Sequence, residues 1–125
     1  MGQVTFVSER GVPHAALKVG QSDWYGFKPR LEKFPVAPGL LDRSRPTAEI
    51  KHTVIFSIDD AIIARELPKV VSRYQHSWYK VGVLDCVSFV ADVAEALGLR
   101  IPNRPNFLPD EFVIRLSILN AGGRK

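Results

Sequence analysis

The chain is poor in sulfur: 125 residues hold one cysteine, Cys86, and one methionine. A single thiol forbids an internal disulfide and excludes the zinc patterns that need several cysteines. No stretch approaches the roughly 20 apolar residues of a membrane-spanning helix. The first ten residues, Met1 to Arg10, lack a basic start followed by a long apolar run, so no classical signal peptide is expected. Internal repeats and low-complexity tracts are absent. No nucleic-acid-binding motif accompanies the basic residues, and no nucleic-acid partner is expected.

What is there fits one globular domain over residues 1–125, with 121–125 as a frayed tail. A hydrophobic content of 46% is enough to bury a core without metal or disulfides. Neither a metal nor an organic cofactor is expected. The net charge is +4. Between Lys28 and Lys51, the basic residues Lys28, Arg30, Lys33, Arg43, Arg45 and Lys51 outnumber Glu32, Asp42 and Glu49. Such a stretch either attracts an anionic polymer or surface or is simply a solvated loop.

The first third reads as β-structure. Val4–Val7 is short, apolar and β-branched, and Arg10–Gly11 marks a turn. Pro13–Val19 is a second strand, with Leu17 and Val19 on one face and His14, Ala16 and Lys18 on the other. After turn residues Gly20–Asp23 comes an aromatic strand, Trp24–Lys28, completing a three-stranded meander. The aromatic residues Trp24, Tyr25 and Phe27 line either a groove or one wall of the core. Residues 29–49 carry several prolines and read as an ordered loop. His52–Ser57 is a fourth strand. Ser57 and Asp60 have capping-box spacing ahead of a helix bearing Ile62, Ile63, Leu67, Val70, Val71 and Tyr74. Pro68 falls inside that pattern and predicts a kink or break. From Cys86 to Leu97 the residues Phe89, Val90, Val93, Ala94 and Leu97 make one apolar stripe, ended by Gly98. Pro109–Asp110 opens a last helix carrying Phe112, Val113, Leu116 and Leu119. The expected class is α+β, with an antiparallel sheet packed against helices.

Cys86 stands at the first turn of its helix, where the dipole favours thiolate. Asp85 before it is a natural N-cap. The Asp85 charge opposes thiolate formation, so a cationic partner is needed. A buried structural thiol is the competing reading, because free cysteine is among the most buried residue types. His14, His52 and His76 are the available imidazoles, and spacing alone does not select among them.

The run Asp85-Cys86-Val87-Ser88-Phe89-Val90, preceded by Tyr79 and Gly82, resembles the nucleophile motif of the NlpC/P60 superfamily of papain-like cysteine hydrolases. That motif runs approximately Tyr…Gly…Asp-Cys-Ser-Gly-Phe-Val, so Val87 and Ser88 depart from it. His14 precedes the cysteine here, and this order is similar to the circularly permuted branch of lecithin retinol acyltransferase-like and PPPDE proteins. The segments Pro13–Gly20 and Tyr25–Pro29 fit that arrangement, which also resembles papain-like domains of secreted bacterial toxins and effectors. The resemblance implies a permuted papain-like fold and covalent chemistry. Cys86 would attack a carbonyl carbon and His14 would shuttle the proton. Tyr25 matches the position of the orienting third group, with Glu9 and Lys28 as alternatives. Tyr79 would stand near the oxyanion, together with the Cys86 N–H.

Three activities follow from that resemblance. The first is hydrolysis of peptidoglycan peptide amides by an effector made in the cytoplasm and delivered by a specialised secretion system, with a cognate immunity protein as partner. The second is acyl transfer or lipid hydrolysis. The third is a papain-like domain without catalysis that binds a partner.

Overall fold

A computed structural model describes residues 2–9, 14–29, 36–46, 49–80, 85–103 and 108–121. Strands β1 (Gly2–Glu9), β2 (His14–Val19), β3 (Asp23–Pro29), β4 (Val36–Asp42) and β5 (Ile50–Ile58) lead into helix α1 (Asp60–Gln75). Strand β6 (Trp78–Lys80), helix α2 (Cys86–Ala96) and helix α3 (Pro109–Leu119) complete the chain. The class is α+β. Among the described residues the strands form one antiparallel sheet in the order β5-β1-β2-β3-β4-β6.

Alternation along the strands divides the sheet into two unlike faces. Val4, Phe6, Ala15, Leu17, Phe27, Phe56 and Ile58 point towards the helices and join one core with Ile63, Leu67, Tyr74, Phe89, Val93 and Leu116. Phe27, Tyr74 and Phe89 meet edge to face, with centroids 4.9 and 5.1 Å apart, and so tie β3 to α1 and α2. The other face carries a smaller cluster of Val7, Ala16 and Trp24. Lys18 lies 5.3 Å from the centroid of the Trp24 ring, and Arg43 Nε donates to the Trp24 carbonyl at 2.8 Å. The aromatic strand therefore serves both faces, with Phe27 in the main core and Trp24 beneath the opposite side.

Several expectations need correction. The meander is part of a larger sheet, because the stretch read as a loop over 29–49 contains β4. Pro38 and Gly39 hid that strand. Pairing with β3 runs from Gly39 to Asp42, whereas Val36 to Pro38 pair with β6, so Pro38 lies outside the β3 ladder. Gly39 is required for closeness: a Cβ there would lie 2.3 Å from Phe27 Cζ and 2.5 Å from the Ser77 carbonyl oxygen. Strand β6 gave no sequence signal of its own, being only three residues long. Ser57 does not cap α1; it is still paired with Gln3 in the sheet. Asp59 caps instead, accepting from the Ala61 N–H at 2.8 Å. Helix α1 runs through Pro68 as one element. That residue faces solvent, while Leu67 and Val70 beside it hold the helix to the core. Leu119 is exposed rather than buried. The Arg10–Gly11 turn, Pro13, Arg30, Glu32, Lys33, Gly82 and the tail from 122 onwards lie outside the described residues.

Candidate functional site

The helix that presents Cys86 starts where local chemistry dictates. The Asp85 carboxylate accepts from the Ser88 N–H at 2.9 Å, and the Ser88 hydroxyl oxygen accepts from the Asp85 N–H at 2.7 Å. This reciprocal capping box satisfies two donors at the helix start. Ser88, which stands where the resembled motif has glycine, completes the box and also donates to the Asp85 carbonyl at 2.9 Å. The Asp-x-x-Ser spacing could have indicated this role. Gly98 ends the segment with φ +88°, as a C′ glycine should.

Cys86 is buried, at 5% exposure, and belongs to the main core. Burial pushes the thiol up to about 12. The Ala15, Val87 and Cys86 backbone amides pull it down, and the Asp85 charge adds to the rise. The Tyr79 phenol lies beside the same sulfur and the Cys86 backbone N–H, and burial raises its pKa as well. The sulfur thus meets β2 at Ala15, the residue after His14.

His14 extends from the opposite side of β2. Glu9 is its cross-strand partner in β1, and the His14 Nε2 lies 3.7 Å from Glu9 Oε2. The imidazole rests across β3 at Gly26, where a Cβ would come within 3.2 Å of Nε2. Lys28 and Asp42, paired at 3.1 Å, act on it electrostatically. Burial lowers the His14 pKa, Asp42 works against that shift and Lys28 adds to it.

The expected residues therefore form two adjoining groups. Cys86, Tyr79 and the Ala15 N–H lie on the helix side. His14, Glu9, Lys28 and Asp42 lie on the other. No described hydrogen bond joins the imidazole to the thiol. Of the candidates for the orienting group, Glu9 and Lys28 share the face of His14. Tyr25 packs on the helix side, with the Arg43 guanidinium 3.9 Å from its ring centroid. Asp42 is the member of the cluster that the sequence did not single out, because its place depends on the unforeseen strand β4. His52 lines a groove beside α3, and His76 follows the end of α1. Among the described residues, no group of three or more His, Cys, Asp or Glu side chains could hold a metal ion. Among the described residues, no helix is long and apolar enough to cross a membrane.

No family model, curated protein or solved structure matches the chain, so its own residues are the basis on which the site is read.

Proposed function

We propose that the domain is a cysteine hydrolase of amide bonds, with Cys86 as nucleophile and His14 as proton shuttle. The observation that supports this reading is the position of the thiol: it heads α2, lies against the Ala15 amide, and is one residue along β2 from the only described imidazole on that strand. Catalysis then requires His14 to leave Gly26 and turn towards the sulfur. Glu9 holds the imidazole in its resting place, 3.7 Å from Nε2. Cys86 passes its proton to His14 as sulfur attacks the carbonyl carbon. The oxyanion is met by the Cys86 N–H and the Tyr79 hydroxyl. His14 protonates the departing amine, and water then hydrolyses the thioester. A peptidoglycan peptide is the proposed substrate, consistent with the chain's net charge of +4. Delivery as an antibacterial effector belongs to the same proposal.

A second reading, a papain-like binding domain with a structural thiol, is favoured by the burial of Cys86 and its raised pKa. Alkylation by iodoacetamide across pH separates the two. A thiolate–imidazolium pair reacts well below the pH of a free thiol and is slowed in His14→Ala. A scaffold thiol stays unreactive in both proteins until they unfold. Release of peptide from cell-wall fragments, lost in Cys86→Ala, establishes the amide substrate. Release of fatty acid from vesicles, also lost in Cys86→Ala, would establish ester chemistry instead.

A further inference from the structure

Strand β5 is an edge of the sheet, and it has few of the features that keep edges from pairing. It is nine residues long, has no proline, and carries Lys51 as its one charge. The opposite edge, β6, is three residues long and carries Lys80. The exposed large hydrophobic residues are concentrated at the β5 edge. Ile50 and Ile55 project from the strand, while Leu108, Ile114, Ile118 and Leu119 belong to α3 or its N-cap. Of the described exposed large hydrophobics, only Trp78 lies elsewhere. Between strand and helix runs an open groove of about 970 Å³, with Ile114 and Ile118 on one wall and Lys51 and His52 on the other.

We infer that this edge is the contact between two copies of the chain, formed by antiparallel pairing of β5 with β5 of the second copy about a two-fold axis near Val54. Such an axis sets Thr53 opposite Ile55 and leaves both α3 helices on the same side of a continuous sheet. Helix α3 packs over β5 and β1. With strands about 4.8 Å apart, the two α3 axes would lie roughly 10 Å from each other, the separation of packed helices. Ile114 and Ile118 then meet their counterparts. The charges suit self-association, because each helix offers both signs: Glu111 pairs with Arg115 at 2.9 Å, and Asp110 with Lys51 at 2.8 Å. Under two-fold symmetry an acidic residue of one helix can face a basic residue of the other.

Sedimentation velocity on the full chain over a concentration series tests the inference. The expected result is a reversible dimer, weakened about tenfold or more by Ile118→Glu and by Ile55→Lys and retained by Ile118→Leu. Both substituted side chains are exposed, at 68% and 56%, and circular dichroism confirms that each variant is folded. A wild type that stays monomeric at every concentration overturns the inference and leaves an extended foreign strand as the occupant of this edge. A dimer insensitive to both charged substitutions overturns it too. Neither result bears on Cys86.

Discussion

At the residue scale, burial decides what His14 and Cys86 contribute. Both are held towards their neutral forms, the thiol by a raised pKa and the imidazole by a lowered one. For His14 the consequence for stability has a definite sign. The unfolded chain takes up a proton as pH falls through about 6.5, whereas the folded chain resists protonation until lower pH. The unfolded state therefore binds more protons in that window, and stability falls as pH drops. Urea denaturation at pH 7.5 and pH 5 should show wild type losing stability on acidification. His14→Gln should flatten that loss. Asp42 and Asp110 have lowered pKa values and affect stability below about pH 4, outside the window. An unchanged slope in His14→Gln would show that the imidazole is not held neutral. The sequence offered three histidines and several orienting groups without a way to choose. Register narrows the orienting groups without naming one: Glu9 stands across from His14 and Lys28 shares its face, while Tyr25 turns to the other face because it neighbours Gly26 in the strand.

At the element scale, local chemistry was legible and long-range pairing was not. Asp85, Cys86 and Gly98 delimit α2 through interactions within a few residues, so sequence alone located both ends. Strand β4 depends on β6, far along the chain, as well as on the preceding β3, and its Pro38 and Gly39 read locally as loop. The N-terminus of α2 also couples stability to reactivity. Asp85→Ala removes the acceptor for the Ser88 N–H and should cost about 1 kcal/mol. Asp85→Asn keeps an acceptor while removing a charge that disfavours the thiolate. The expected outcome is a near wild-type melting temperature in Asp85→Asn with faster alkylation of Cys86, against a lowered melting temperature in Asp85→Ala. Equal melting temperatures for the two variants would show that the capping bond contributes nothing measurable.

At the scale of the whole molecule, one sheet carries an apolar cluster on each face, and the two are unequal. Helices cover one face, whereas Val7, Ala16 and Trp24 make the smaller cluster on the other. Every strand from β1 to β3 contributes side chains to both clusters, so neither can melt while the other remains ordered. Phe89 is the natural point to perturb, since its ring packs on Tyr74 and lies wholly buried on α2. Phe89→Ala should cost about 3–5 kcal/mol. Its effect should appear equally in helical circular dichroism and in the fluorescence of Trp24, which lies across the sheet. Trp78 is exposed, so Trp78→Phe isolates the Trp24 signal. Coincident urea transitions by the two probes, displaced together by Phe89→Ala, are the expected result for a single cooperative unit. A fluorescence transition that stays in place while the helical signal moves would mean that the Trp24 side of the sheet is stabilised independently of the helical core.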